Sequence, residues 1–256
     1  MLRPINKKRK KYTKCRFKEG PMVCCIALWI VSIVIASVVD AANYYLRIEN
    51  PQLQILPDRM FSTLPEIDNN WIANGIVLGF IGLTVIVLAA HPRRRVFLIR
   101  RFFFLWSLIL LIRSTTIFWT SYPDPNASCR GTDPLTPPGP WISAFEGSSC
   151  SDLMFSGHTS TLMVCVYVIH QGYRSTWSKG TACFVALLYV ISVAIVIVGI
   201  LMLLVTRMHY TADIVVGIYV SVFLCTWCQL YFSKRRVLES KRRDGWMYWF
   251  EQDRFI

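Results

Sequence analysis

The sequence predicts an all-α integral membrane protein with six transmembrane helices, and three observations indicate this fold. Of its 256 residues, 54% are hydrophobic and only 17% are charged, against about 25% charged residues in an average soluble domain. The apolar residues form six long segments, most of which approach the roughly 20 residues that cross about 30 Å of hydrocarbon. The basic residues cluster at the two ends of the chain and in every second loop between those segments. Together these observations argue against a soluble enzyme and against a disordered chain.

The six apolar segments are interrupted by few charges. The first contains only Asp40 and begins too late, and runs too long, for a cleaved signal peptide, so we expect a retained helix. The second and fifth carry no charge, the third contains Arg113, and the sixth contains only Asp213. The fourth is short, and we expect its start to be buried in protein. The segments are residues 21–46, 71–90, 102–120, 158–173, 181–205 and 211–232.

The distribution of lysine and arginine predicts the orientation. Six crossings place 23 of the 28 basic residues on one side of the membrane. Because basic loops stay in the cytoplasm, both termini are predicted to be cytoplasmic, with basic segments 1–20 and 233–256 flanking a six-helix domain of residues 21–232. The net charge of +13 is then better explained by attraction to anionic lipids than by nucleic acid as a partner.

The two predicted non-cytoplasmic loops, residues 47–70 and 121–157, carry features of that compartment. Asn126 begins an Asn-Ala-Ser glycosylation sequon. Cys129 and Cys150 lie in the same loop, where a disulfide and two free thiols are both open alternatives. The nine cysteines form no short-spaced metal framework, and thiols within apolar stretches are most often small buried hydrophobes.

Two motifs carry the candidate chemistry. CSDLMFSGHT places His158 at the start of the fourth helix, and RMHYTAD places His209 and Asp213 at the start of the sixth, on the same predicted face of the membrane. Ionisable groups at such a depth are costly and tend to be functional. Helical residues four apart share a face, so Asp213 is expected to orient the His209 ring and leave its other nitrogen as nucleophile or base. A metal site would need a third ligand such as Asp152, and is the weaker alternative.

These motifs resemble the sphingomyelin synthase family, which includes ceramide phosphoethanolamine and inositol phosphorylceramide synthases and lies within the lipid phosphate phosphatase superfamily. The resemblance extends to the Arg-Ser-Thr-Thr sequence at residues 113–116 and to the proline and acidic residues of 64–68, and covers roughly residues 57–231. Ser151 stands where the family usually has glycine. This departure removes no catalytic group.

The resemblance implies transfer of a phospho-head group from a glycerophospholipid to the primary hydroxyl of ceramide, with release of diacylglycerol. It implies that His209 forms a phosphohistidine while Asp213 orients its ring. His158 is expected to protonate the departing oxygen and then to deprotonate the acceptor hydroxyl. No metal or other cofactor is expected.

The resemblance also implies supporting residues, partners and a location. Arg113 and Arg207 are expected to bind the phosphate, and Asp152 to support the site. The expected partners are the ceramide acceptor and the phospholipid donor, and self-association stays open. The expected location is the Golgi or plasma membrane, with the active site facing the lumen or the cell exterior.

Two alternatives stay open at this point. A lipid phosphate phosphatase would use the same residues with water as acceptor, but the Lys-x6-Arg-Pro motif usual in those enzymes is absent from the sequence. An inactive lipid-binding protein would have lost a catalytic group, whereas His158, His209 and Asp213 are all present. The donor head group (choline, ethanolamine or inositol phosphate) is not determined by the spacing of the motifs.

The predicted topology can be tested with epitope tags. Tags at either terminus should be cleaved by protease added to sealed vesicles whose cytoplasmic face is outward, because the basic segments hold both termini on that face. A tag inserted in the loop 121–157 should be protected. A terminal tag that is protected in intact vesicles and cleaved after detergent is added would contradict the orientation.

Overall fold

The computed structural model describes residues 20–48, 55–91, 95–120, 123, 125, 155–174 and 182–238. Within these ranges the chain forms seven α-helices and no strand. The helices are α1 (Gly20–Ile48), α2 (Arg59–Thr63), α3 (Asn70–Ala89), α4 (Arg95–Trp119), α5 (Gly157–Arg174), α6 (Ala182–Val205) and α7 (Thr211–Leu238).

Four of the described helices are long and apolar enough to cross a membrane, which identifies an integral membrane protein. These stretches are Met22–Asn43, Asn70–Ala89, Ala182–Val205 and Thr211–Leu230. The predicted total of six crossings and the cytoplasmic placement of the termini stay predictions. The basic segments on which that placement depends lie mostly outside the described residues.

Helix α5 is the least apolar of the long helices, and it lies in the interior of the bundle. α5 packs against α3, α4, α6 and α7, and its residues Leu162, Val164, Cys165 and Val168 are each 0% exposed. The polar residues Thr159 and Ser160 are also fully buried on this helix. A helix that is covered by protein on several sides can carry polar groups that lipid would not tolerate.

The predicted start of the third long helix at residue 102 is wrong, because α4 begins at Arg95. The extra turns bury Arg100 and Arg101 within the bundle. The guanidinium carbon of Arg101 lies 5.8 and 5.4 Å from the ring centroids of Phe97 and Tyr167. Contact with aromatic faces stabilises a desolvated cation. The helix therefore includes these two arginines instead of beginning after them.

Helix α1 is the peripheral helix of the bundle and packs mainly on α4. Its Trp29 ring lies 5.1 Å from Phe103 and 5.3 Å from Trp106, centroid to centroid. Near the other end, the Asn43 side chain donates a 2.7 Å hydrogen bond to the carbonyl oxygen of Ile117. The buried amide is thus satisfied by the last turn of α4, and the opposite face of α1 is left for lipid.

The start of α5 lies directly against the first turns of α7. The backbone N–H of Ser156 donates to the carbonyl of Asp213 at 3.0 Å, and the Ser160 hydroxyl donates to the carbonyl of Gly217 at 3.3 Å. A side chain at position 217 would place its Cβ 3.0 Å from the Ser156 carbonyl oxygen. Glycine therefore allows the two helices to approach, and this contact fixes the position of the residues at the start of α5.

Candidate active site

The structure brings His158 and His209 together. His158 is the second residue of α5, and His209 lies in the turn between α6 and α7. Nδ1 of His158 is 3.3 Å from Nε2 of His209, and the ring centroids are 5.6 Å apart. His209 is only 3% exposed. Two imidazoles at hydrogen-bond distance can pass a proton between a nucleophile and an acid or base.

Asp213 lies beside His209, but the two residues are not on one helix as the sequence suggests. Helix α7 begins at Thr211, so His209 precedes the helix, and the expectation that the two residues share a helix face is wrong. The turn nevertheless brings Asp213 Oδ2 to 3.9 Å from Nδ1 of His209. The same oxygen accepts a 3.1 Å hydrogen bond from the N–H of Tyr210. Asp213 therefore caps the start of α7 while its carboxylate faces His209.

Arg207 holds the turn that carries His209. Its backbone has φ 57°, a left-handed conformation that is uncommon for a residue with a side chain. Its Nη2 donates to the carbonyls of Phe61 at 2.6 Å and Leu64 at 3.2 Å, and its guanidinium lies 4.2 Å from the centroid of the Phe61 ring. Glu66 adds a carboxylate oxygen 3.9 Å from Nε. These contacts stabilise the turn and direct the Arg207 side chain toward residues 55–69.

Residues 55–69 form a segment that braces the turn and the start of α7. The Asp58 carboxylate accepts hydrogen bonds from the N–H of Thr211 at 2.6 Å and from its hydroxyl at 2.8 Å. Burial alone would raise the pKa of Asp58, but hydrogen bonds from Thr211, Met60 and Phe61 outweigh it and hold the pKa below its ordinary value of 3.8. The bond to Thr211 satisfies an N–H that has no partner within its own helix.

Tyr210 connects this brace to a second loop. Its hydroxyl donates to the carbonyl of Pro123 at 2.8 Å and accepts from the N–H of Leu56 at 3.2 Å. Its ring stacks on Phe61 with centroids 5.6 Å apart. Contacts with residues 55–69 therefore hold both Arg207 and Tyr210, which lie on either side of His209.

Arg113 approaches the site from the end of α4. Its Nε donates a 3.1 Å hydrogen bond to the carbonyl of Phe155, and the side chain is 8% exposed. A Cβ at position 157 would lie 2.8 Å from its Nη1 and 2.9 Å from its Cζ. Arg113 is therefore buried in the bundle, and its cation lies beside the residue that precedes His158.

Two polar residues of the site were not predicted from the sequence. Asn74 of α3 has its Oδ1 2.9 Å from Nε2 of His158, and Asp58 caps α7 as described above. Both lie outside the two motifs, and their only sequence signal is a polar residue within or next to an apolar segment. Asp152, Asn126 and the cysteine pair of the same loop, Cys129 and Cys150, lie outside the described residues.

The described residues contain no group of three histidine, cysteine, aspartate or glutamate side chains that could hold a metal ion. His158, His209 and Asp213 supply two imidazoles and one carboxylate, with the two ring nitrogens in direct contact. The arrangement fits nucleophilic attack by one imidazole and proton transfer by the other.

The chain is similar in sequence to several known proteins. Residues 149–230, which include both histidine motifs, match the family described as PAP2 superfamily C-terminal. Sphingomyelin synthase-related protein 1 of Mus musculus is 25% identical over 213 residues, covering 76% of this chain and 42% of the mouse protein. The predicted resemblance to the sphingomyelin synthase family, within the lipid phosphate phosphatase superfamily, is confirmed.

Two other similar proteins have names that state different head groups. Phosphatidylinositol:ceramide inositolphosphotransferase of Trypanosoma cruzi is 32% identical over 130 residues, covering 48% of this chain and 36% of that protein. Phosphatidylcholine:ceramide cholinephosphotransferase 1 of Caenorhabditis elegans is 24% identical over 238 residues, covering 82% of this chain and 46% of that protein. The chain spans less than half the length of each of these three relatives.

The role of Asp58 leads to a prediction about stability. In the Asp58→Asn variant, the charge-assisted hydrogen bonds to Thr211 are lost, so the thermal unfolding midpoint in detergent should fall below that of the native protein. Since the folded pKa of Asp58 is lowered, the native carboxylate stabilises the fold above its unfolded pKa and loses this effect as the pH falls through the folded pKa. The difference between the two midpoints should therefore be largest near about pH 6 and should shrink below about pH 4.

Asp68→Asn is the matched control, because it removes an exposed carboxylate from the same segment and exposed charges contribute little. Its midpoint should stay close to the native one at every pH. A difference for Asp58→Asn that is constant down to about pH 3 would show that the charge of Asp58 does not brace α7.

Proposed function

We propose that this chain transfers a phosphorylated head group from a glycerophospholipid to the primary hydroxyl of ceramide and releases diacylglycerol. The observation that supports the proposal is the contact of 3.3 Å between His158 Nδ1 and His209 Nε2, with Asp213 behind His209. Two of the three relatives named above are ceramide phosphotransferases by name, which supports the same class of reaction here. The head group stays open among choline, ethanolamine and inositol phosphate.

The proposed first step is displacement at phosphorus. Nε2 of His209 attacks the phosphorus of the donor and forms a P–N bond, while the P–O bond to diacylglycerol breaks. His158 donates a proton to the departing oxygen, so that diacylglycerol leaves as a neutral alcohol. The phosphohistidine carries positive charge on its ring, and the Asp213 carboxylate stabilises that charge.

The second step reverses these roles. His158, now neutral, accepts the proton of the ceramide hydroxyl, whose oxygen attacks phosphorus. A new P–O bond forms, the P–N bond breaks, and His209 is restored. Acid and base assistance by one positioned side chain is typically worth about 10²- to 10⁴-fold in rate.

Arg113 is the better-placed cation for the transferring phosphodiester. Its guanidinium lies beside the residue that precedes His158, whereas the guanidinium of Arg207 is engaged with two carbonyls of residues 55–69. We therefore assign phosphate stabilisation to Arg113 and expect Arg207 to act chiefly by holding His209 in place. Asp152 remains a proposed supporting residue, and the lumenal or extracellular placement of the site remains part of the proposal.

The assay that tests this function uses the whole chain in detergent with labelled ceramide and each donor phospholipid in turn. Native protein should form a ceramide head-group product in step with diacylglycerol release. His209→Ala, His158→Ala and Asp213→Ala should each lower the rate by orders of magnitude while the thermal unfolding midpoint shows a folded protein.

The ratio of ceramide product to free phosphorylated head group separates a transferase from a phosphatase. A ratio near zero with normal donor breakdown would mean that water is the acceptor and would overturn the transferase proposal. Full activity in His209→Ala would rule out the phosphohistidine.

Gly157 provides a second test of the same site. In Gly157→Ala the new methyl group would overlap the Arg113 guanidinium, which is tied to Phe155, so the cation must move. Misplacement of a catalytic group by about 1 Å can cost up to about 100-fold in rate, and we expect a loss of roughly that size in transfer. Gly79→Ala is the matched control, because nothing lies within 4 Å of its added Cβ. Equal activity in both variants would argue against a role for Arg113 in transfer.

A further inference from the structure

A third element contributes to the histidine pair. Asn74 lies on α3, 84 residues before His158 in the chain, and its Oδ1 is 2.9 Å from Nε2 of His158. The opposite nitrogen of the same ring, Nδ1, is the one that lies 3.3 Å from His209. His158 is therefore held between an amide oxygen on one side and the second imidazole on the other.

We propose that Asn74 is a positioning residue that keeps a hydrogen on Nε2 of His158, so that Nδ1 is the atom that transfers the proton. This inference rests on the proposed function, because it assigns an atom to the acid and base step described above. It also assigns different partners to the two histidines, an amide to one and a carboxylate to the other.

The argument follows from the chemistry of the two groups. A neutral imidazole carries one hydrogen, which can sit on either nitrogen, and a hydrogen bond to one nitrogen decides the tautomer. An amide oxygen can only accept a hydrogen bond. With Asn74 Oδ1 facing Nε2, that nitrogen is a donor in both the neutral and the protonated ring, and the change in protonation is confined to Nδ1.

The proton balance of transfer then involves one atom of His158. In the first step Nδ1–H gives its proton to the departing diacylglycerol oxygen and retains a lone pair. In the second step that lone pair takes the proton of the ceramide hydroxyl. The N–H at Nε2 stays bonded to Asn74 throughout, so the ring need not turn between the two steps.

A neutral partner suits this cycle better than a charged one. The carboxylate of Asp213 favours a cationic ring and therefore suits His209, which becomes positively charged when phosphorylated. An amide orients the ring without adding a negative charge, so His158 can both give and accept a proton. The different partners thus match the different roles of the two rings.

The position of Asn74 supports a specific role. It lies in the second turn of a helix that carries no charged residue and has the composition of a membrane span. An amide in such surroundings costs free energy unless it is hydrogen-bonded. The neighbouring Ala73 is fully buried against residues of α6 and α7, which fixes the register of α3 at the site.

The first test compares two substitutions of nearly the same size in the transfer assay. Asn74→Leu removes the acceptor and should lower kcat by roughly 10- to 100-fold, part of the acid and base contribution, with KM for the donor little changed. Asn74→Asp retains an acceptor oxygen at the same place but adds a negative charge, so its kcat should lie between those of Asn74→Leu and the native protein. Asn43→Leu is the control, because it removes a buried amide that donates to the Ile117 carbonyl and to neither histidine; it should affect stability more than kcat.

The outcomes distinguish a failure of the role proposed for Asn74 from a failure of the proposed function. Native kcat in Asn74→Leu, with His158→Ala and His209→Ala inactive, would overturn the role of Asn74 and leave the proposed function standing. An Asn74→Asp variant as slow as Asn74→Leu would also overturn it, because an acceptor oxygen at this position would then make no difference to turnover. Activity in His158→Ala would instead count against the proposed function.

A second measurement is independent of turnover. The chain has only four histidines, so nitrogen NMR of protein labelled at histidine can be assigned with the His158→Ala variant. At alkaline pH the neutral His158 should show a protonated Nε2 and a bare Nδ1 in the native protein. In Asn74→Leu the two tautomers should mix. A bare Nε2 in the native protein would overturn the proposal.

Discussion

The close approach of α5 to α7 is the contact on which the site depends. The hydrogen bond from Ser156 to the Asp213 carbonyl and the absence of a side chain at Gly217 allow the start of one helix to rest on the first turn of the other. His158 follows this contact on one side, and His209 precedes it on the other. A Cβ at position 217 would lie 3.0 Å from the Ser156 carbonyl oxygen, so a larger residue there would require the two helices to shift apart.

The sequence predicts the candidate reactive groups better than it predicts the residues that support them. His158, His209 and Asp213 can be found because each motif is short and continuous along the chain. Asn74 and Asp58 cannot be found in this way, because they meet their partners across 84 and 153 residues, and a single polar residue near an apolar helix has many explanations. Arg207 shows a related limit: a cation beside a histidine suggests a phosphate ligand, whereas its left-handed backbone and its contacts with residues 55–69 emerge only from the fold.

The helices, too, are predicted well where the signal is local and poorly where it depends on tertiary packing. Hydropathy locates α1, α3, α6 and α7, which expose broad apolar faces, and these are the helices that meet the requirements for a membrane span. The start of α4 is misplaced because Arg100 and Arg101 suggest a loop, yet both are buried, and the cation of Arg101 rests on aromatic rings. Burial by neighbouring helices is a tertiary property, so a local count of charges cannot anticipate it.

The polar interior of α5 has a consequence for how the protein is made. Insertion of a helix into the bilayer from the translocon depends on its own hydrophobicity, and the 18 residues of α5 include two histidines and the buried polar residues Thr159, Ser160 and Thr161. Such a segment gains little from lipid by itself and must be sheltered by its neighbours as it enters. Two of those neighbours, α6 and α7, are synthesised after it. We therefore expect α5 to take its place among the other helices only after α6 and α7 have been made.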